Sequence, residues 1–263
     1  MRFCRFEHSG KVSYGLIEDI RAVPTITRRS ERFPAALADF ESAEAANLPL
    51  DSARLLAPTQ PSKIVCVGRN YREHAKELNH EVPTSPLIFL KPPSAVIGPG
   101  ADIRRPHTVS QRVDHEGELG VVIRKRCHAI REDEDVRSYI LGYTCVNDVT
   151  ARDLQNQDGQ WTRAKGFDTF CPIGPVIADG IDPWQGVRVE TRLNGEIRQS
   201  GTTADFIFPL DVILRYISSV MTLQPGDVIA TGTPAGVGPM QPGNIVEVTV
   251  EGVGTLRNPV LNS

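Results

Sequence analysis

Glu116 and Glu118 stand two residues apart, in a run that turns apolar through Leu119, Val121, Val122 and Ile123. A strand over 116–124 sends both carboxylates out from one face. Asp148 follows later in the chain, after Asn147 and beside an expected helix start. Three carboxylates without a paired thiolate or imidazole suit a hard cation such as Mg2+ or Mn2+. Three protein ligands would also leave coordination positions open, as a catalytic metal requires. The same spacing fits a solvated strand face and a helix cap, and by itself does not separate the two.

Further polar residues surround this set in the sequence. A helix over 149–157 puts Arg152 one turn after Asp148 and Gln155 on the same face, where the pair could stabilise an oxyanion. Lys165, in Arg163-Ala164-Lys165-Gly166-Phe167-Asp168, could add positive charge. His74 and Glu77 are three apart in an expected short helix over 71–79, so the carboxylate can orient the imidazole as a general base. Surface ion pairs account for the same spacings. The polar, proline-containing stretch that follows, as far as Pro86, reads as a lid. Gly232-Thr233-Pro234-Ala235-Gly236-Val237-Gly238 matches no phosphate-loop pattern. It reads as a tight β turn or as a backbone and hydroxyl cradle for a small carboxylate.

The elements that must position these residues are mainly strands. Residues 2–7 and 11–17 form a hairpin about His8-Ser9-Gly10, and 34–47 reads as a helix on its alanine content. The stretch 57–62 is a proline-containing linker, which places a small N-terminal α+β domain at 1–60 and a larger domain at 61–263. Within the latter, 63–68 and 116–124 read as strands, 87–90 as extended and 134–144 as a helix. The Asn194-Gly195 pair predicts a hairpin turn. Leu210, Ile213, Ile217 and Val220 recur at helical spacing. The fold class expected is mixed but mainly β, a rolled or barrel-like sheet with short helices.

Composition narrows the function classes. Lys+Arg 29 against Asp+Glu 32 gives a net charge of −3, with no basic field for nucleic acid or an anionic membrane. No apolar run approaches the roughly 18 residues of a membrane helix, and the N-terminus carries no signal-like stretch. Five scattered cysteines without a C-x-x-C pair argue against disulfides or structural zinc and for a reducing cytoplasm. Cys66 and Cys145, flanked by apolar residues, read as buried and structural. There is no G-x-S-x-G nucleophile elbow.

In combination, Gly68-Arg69-Asn70-Tyr71 with His74, Asp114-His115-Glu116-Gly117-Glu118-Leu119, Asn147-Asp148-Val149-Thr150-Ala151-Arg152-Asp153, Ala164-Lys165-Gly166-Phe167-Asp168 and Thr231-Gly232-Thr233-Pro234 resemble the fumarylacetoacetate hydrolase family. The likeness runs from about residue 56 to the C-terminus. It implies a rolled β catalytic domain, usually a homodimer, with Glu116, Glu118 and Asp148 as Mg2+ or Mn2+ ligands. It also implies a His74–Glu77 acid–base dyad on a lid. Arg152, Gln155 and Lys165 fall on groups that polarise substrate, and Arg69, Tyr71 and Thr233 on substrate contacts. The activity implied is chemistry on small 2-oxo acids through a metal-stabilised enolate, first of all C–C hydrolysis of an acylpyruvate. Isomerisation of 2-hydroxyhepta-2,4-diene-1,7-dioate or decarboxylation of oxaloacetate would use the same site. A non-catalytic ligand-binding protein is the contrasting expectation.

Overall fold

Two nearly unbroken apolar runs, Gly117–Ile123 and Ile140–Asn147, supply the middle of the fold, and every residue of both is buried. Successive side chains leave opposite faces of a strand, so such runs need cover on both sides. Leu119, Val121 and Ile123 join one core with Ile213, Leu214 and Ile217. Val122, Leu141 and Val146 join another with Phe3, Phe40 and Ile177. The computed structural model describes residues 1–77 and 81–263. The end of the helix expected over 71–79 and part of the expected lid fall at 78–80, outside the described residues.

In chain order the elements begin with β1 (Arg2–His8), β2 (Lys11–Ile20), β3 (Val23–Ser30), β4 (Glu44–Pro49) and β5 (Arg54–Leu56). β6 (Ile64–Gly68) leads to helix α1 (Arg72–Glu77), then β7 (Leu87–Lys91), β8 (Val96–Ile97) and β9 (Ile103–Arg105). Next come β10 (Val113–His115), β11 (Gly117–Ile123), β12 (Ile140–Asn147) and β13 (Thr150–Ala151). Helices α2 (Arg152–Asp158) and α3 (Thr162–Lys165) precede β14 (Cys171–Ala178), β15 (Arg188–Leu193), β16 (Glu196–Thr202) and helix α4 (Leu210–Val220). The last four strands are β17 (Val228–Ala230), β18 (Gly238–Pro239), β19 (Ile245–Val250) and β20 (Gly254–Asn262).

The main sheet runs β4-β3-β2-β1-β14-β12-β11-β17-β6-β7, with β5 and β8 paired at its side. A second sheet, β16-β15-β19-β20-β9, shares a core with it through Val189, Val248, Val250 and Leu256. A small third sheet is β13-β10-β18. The fold is therefore mainly β, as expected, and among the described residues the main sheet stays open between β4 and β7 rather than closing into a barrel. The N-terminal hairpin is present, and β1 also pairs with β14, placing Phe3 opposite Ile177. The Asn194-Gly195 turn joins β15 to β16 with both residues at positive φ, as a type I′ hairpin demands.

Four local expectations are corrected. Residues 34–47 form a short 3-10 turn, Leu37–Phe40, and then β4, instead of one helix. The Asp39 carboxylate accepts from the Ala35 and Ala36 amides at 2.6 and 2.9 Å, tightening the turn and leaving Phe40 packed on Phe3. Pairing of β4 with β3 then outweighs alanine's helix propensity. Residues 134–144 give a 3-10 turn, Val136–Tyr139, capped by Asp135, and then enter β12, where burial on both faces decides. Helix α2 begins at Arg152 instead of 149, because Thr150 and Ala151 pair with Asp114 and Val113. Asp148 accordingly does not share a helix with Arg152. Finally, Glu116 lies between β10 and β11, so it and Glu118 do not project from one continuous strand.

The parallel pair β6 and β17 matters most for the site, since the loops after both strands carry site residues. Asp227, fully buried, locks their starts together. One oxygen accepts from the Ser62 amide and hydroxyl and the Lys63 amide at 2.9, 2.7 and 3.2 Å. The other accepts from Lys63 Nζ at 2.5 Å and the Gln224 amide at 2.8 Å. Asp227→Ala would leave several buried donors unpaired and should cost about 3 kcal/mol in denaturant unfolding. A loss under about 0.5 kcal/mol, the usual range for a surface change, would refute this role.

Candidate active site

The strand break at Glu116 brings the acids together. The Asn147 side chain accepts from the Glu116 amide at 3.0 Å, and the Asp148 amide donates to the Glu116 carbonyl at 2.8 Å. The end of β12 is thereby stitched to the turn between β10 and β11. Glu116, Glu118 and Asp148 are all buried, with one oxygen of each within 4.8 Å of the others.

Buried cations interleave with the acids. Lys165 Nζ donates to Glu116 Oε2 at 2.9 Å and to Asp148 Oδ2 at 2.5 Å. Lys91, on β7, donates to Asp148 Oδ1 at 2.6 Å and to the Val149 carbonyl at 3.0 Å. Arg152 donates through Nε to Asp114 at 3.0 Å, through Nη1 to Gln155 Oε1 at 2.5 Å, and through Nη2 to Glu116. Burial opposes the charged form of Glu116, but Lys165 and Arg152 outweigh it and hold the carboxyl well below the usual range. Glu118 behaves oppositely. Burial, and then the charges of Asp148 and Glu116, push its carboxyl well above the ordinary value, and its hydrogen bond is from the Gly232 amide at 2.7 Å.

This donor set is the chemical test for a cation. Asp114, Glu116, Glu118 and Asp148 are four buried carboxylates, and Lys91, Arg152 and Lys165, with exposed Arg112 on Asp114, pair with three of them. Glu118 is the carboxylate of the triad that touches neither lysine nor arginine among the described residues. Three converging hard oxygen donors, one of them without a cationic partner, fit Mg2+ or Mn2+.

His74 lies in α1, 4% exposed, with Nδ1 at 3.1 Å from Glu77 Oε2. The other Glu77 oxygen accepts from the Gly236 amide at 2.9 Å. Burial opposes the Glu77 anion, yet the bonds from His74 and Gly236 keep its carboxyl below the usual value. The glycine-rich loop thus cradles the protein's own carboxylates, Glu118 through Gly232 and Glu77 through Gly236. Gly236 sits at φ +102°, and a Cβ there would strike the Arg198 carbonyl, so only glycine suits the position. Thr233 Oγ1 donates to the Gly117 carbonyl at 2.9 Å and accepts from Gln199 Nε2 at 2.7 Å.

One cavity of about 290 Å³ is lined by His74, the three acids, Arg152, Gln155, Lys165, Arg69 and Thr233, with Val67, Gly68, Phe89, Asn156, Gly159 and Trp161. Glu77 stands behind His74, outside the lining. Tyr71 is also outside it, buried edge-on against Phe206 at 5.1 Å between centroids. Sequence reasoning missed Lys91, Asp114, Phe89 and Trp161 as parts of the site. Lys91 had a signal: it is a single lysine ending the run Leu87-Ile88-Phe89-Leu90, and a lysine on a buried strand needs an anion. Trp161 and Phe89 meet only in three dimensions, edge to face at 5.1 Å.

The chain is similar to known proteins over most of its length. Residues 63–261 match the fumarylacetoacetate hydrolase C-terminal family model, and residues 1–58 match the Rv2993c-like N-terminal model. The chain is 42% identical to oxaloacetate tautomerase YisK of Bacillus subtilis, over 80% of this chain and 74% of that protein. Its fold superposes on 5-carboxymethyl-2-hydroxymuconate delta-isomerase from Mycobacterium smegmatis with a TM-score of 0.88, at 42% identity and full coverage of both chains. It also superposes on 2-hydroxyhepta-2,4-diene-1,7-dioate isomerase from Mycobacterium marinum with a TM-score of 0.88, at 42% identity, over 100% of this chain and 99% of that one. Among the described residues no helix is long and apolar enough to cross a membrane. The family match takes in every cavity residue from Arg69 to Thr233, and the chain belongs to the fumarylacetoacetate hydrolase family.

Proposed function

We propose that the protein catalyses proton transfer on a small 2-oxo acid, interconverting keto and enol forms or shifting a double bond. One observation carries this reading: His74, backed by Glu77, and a lysine-interleaved acid triad face the same small cavity. A volume of about 290 Å³ sits at the small end of ligand pockets and suits a short acid. The named activities of the tautomerase and isomerase relatives support the same class.

Glu77, by accepting from Nδ1, sets the tautomer that leaves His74 Nε2 with its lone pair for the substrate. On oxaloacetate, Nε2 takes a proton from C3. The C–H electrons form the C2–C3 double bond, and the proton returns to the C2 oxygen. Lys165 has three N–H donors, two of them committed to Glu116 and Asp148, and the third can meet the developing oxyanion. Arg152 has two of its five N–H groups beyond its bonds to Asp114, Gln155 and Glu116, available for the substrate carboxylate. Glu116, Glu118 and Asp148 would hold Mg2+ or Mn2+, which when bound supplies Lewis-acid polarisation of the 2-oxo group. Phe89 and Trp161 give the cavity an aromatic wall. A second reading, C–C hydrolysis of an acylpyruvate, draws on the same dyad, because His74 oriented by Glu77 is also the arrangement that deprotonates water.

The discriminating experiment follows oxaloacetate, an acylpyruvate and a 2-hydroxydienedioate with Mg2+ and with EDTA. Keto–enol exchange or diene isomerisation without pyruvate or CO2 release supports the proton-transfer reading. Pyruvate formed from the acylpyruvate with uptake of water oxygen would replace it with the hydrolase, and CO2 from oxaloacetate with a decarboxylase. His74→Asn should lower kcat by about 10²- to 10⁴-fold, and full kcat in that variant would exclude the dyad. Metal binding is separately testable by thermal unfolding. Saturating Mn2+ at a hundredfold its Kd should add about 2.7 kcal/mol to the wild type. Glu118→Gln should lose that gain while unfolding no more easily than wild type without metal, because the neutral amide replaces a carboxyl whose charged form burial already opposes. An undiminished Mn2+ response in Glu118→Gln would contradict the ligand assignment.

A further inference from the structure

Three cationic side chains line the cavity, and their pairing differs. Lys165 and Arg152 are each bonded to buried carboxylates. Arg69 makes no hydrogen bond or ion pair with any described residue, and its guanidinium lies 5.8 Å from the Trp161 ring centroid. Burial pulls its pKa downward, with no neighbouring anion acting against the shift. A half-buried guanidinium with only an aromatic face beside it has unused N–H donors arranged for a carboxylate.

The backbone holds this residue in place. Arg69 lies at φ 58°, a region uncommon outside glycine. On one side, Gly68 packs so close to Trp161 that a Cβ would lie 2.9 Å from the ring. On the other, Asn70 is fully buried and bonded to the Thr231 carbonyl at 2.8 Å, and to the Phe208 carbonyl and amide at 3.2 and 2.8 Å. The guanidinium also borders a second, shallower cleft formed by residues 83–88 and Tyr216. Lys165 Nζ sits 4.9 Å from the Phe89 ring, Phe89 meets Trp161, and the Arg69 guanidinium lies 5.8 Å from Trp161. Each ring of this aromatic pair thus has a cation beside it.

We propose that Arg69 is the specificity-determining residue that binds the distal carboxylate of the substrate, selecting dicarboxylic over monocarboxylic 2-oxo acids. This rests on the proton-transfer reading above, in which Lys165 and Arg152 take the 2-oxo acid end. Trp161 is a positioning residue for the guanidinium.

The test compares oxaloacetate with 2-oxobutanoate, in which a methyl group replaces the distal carboxylate. Proton–deuterium exchange at C3, followed by NMR with the Mg2+-loaded protein, gives kcat/KM for each acid. Wild type should favour the dicarboxylate, and Arg69→Met should reduce the dicarboxylate-to-monocarboxylate ratio roughly 10- to 100-fold, mostly through KM. Arg69→Lys, which keeps charge without the planar fork, should fall between them and decides the matter if the methionine variant does not fold. An unchanged ratio, or an equal fall for both acids, would overturn the proposal. Calorimetric binding of the non-reacting pair malate and 2-hydroxybutanoate separates the two claims. Exchange of neither oxo acid would sink the proton-transfer reading, while the wild-type preference for malate and its loss in Arg69→Met would still decide the role of Arg69.

Discussion

Four carboxylates, Asp114, Glu116, Glu118 and Asp148, are buried close together, and among the described residues Lys91, Arg112, Arg152 and Lys165 pair with every one of them except Glu118. Burying an unpaired charge costs several kcal/mol, so every member of the cluster needs a partner or a neutral form. Two lysines converge on Asp148, one per oxygen, and Arg152 spans Asp114 and Glu116. Exposed Arg112 adds a second contact to Asp114 from the surface. Glu118 is left with the Gly232 amide, and burial, then the charges of Asp148 and Glu116, push its carboxyl well above the ordinary value. The proposed divalent ion is the species that would complete this balance.

The architecture keeps these groups from relaxing apart. Glu116 cannot move outward without breaking its amide bond to Asn147 and its carbonyl bond to the Asp148 amide. Glu118 sits buried on β11, paired with Val146 of β12. Lys91 ends β7, next to β6 in the same sheet, so its ammonium reaches Asp148 from the opposite side to Lys165. The loop after β17 brings Gly232 to Glu118 and Gly236 to Glu77, linking the acid triad and the His74 dyad through one segment. Glu118 lies on β11 while Glu116 and Asp148 sit at the breaks beside β11 and β12, and the dyad rides on the short helix α1, next to residues outside the described part of the chain.

Much of the candidate site was legible because its motifs, in their order along the chain, resemble those of one family, whereas each spacing alone fitted surface ion pairs equally well. Glu116, Glu118, Asp148, Arg152, Gln155, Lys165 and His74 all line the cavity, with Glu77 directly behind His74. Helix α4 was readable from its apolar period, and the Asn194-Gly195 hairpin from its turn chemistry. Legibility failed where long-range pairing overrode local preference. Residues 44–49 look helical by alanine content but are held as a strand by β3, and Arg29 grips Glu44 with two bonds. The shared strand face expected for Glu116 and Glu118 was also illusory, because the chain changes sheets at Glu116. The acids meet through that break and not through strand alternation. Tyr71, in one motif with Arg69, turns toward Phe206, a contact with no local signal. Lys91 and Trp161 owe their places to sheet order and ring packing, which a single chain of residues does not display.

Anomalous diffraction from crystals soaked in Mn2+ tests the charge-balance account most directly. The account predicts one strong manganese peak coordinated by Glu116, Glu118 and Asp148, which vanishes in Glu118→Gln crystals. A peak bound elsewhere, or a triad that stays metal-free at millimolar Mn2+, would contradict it.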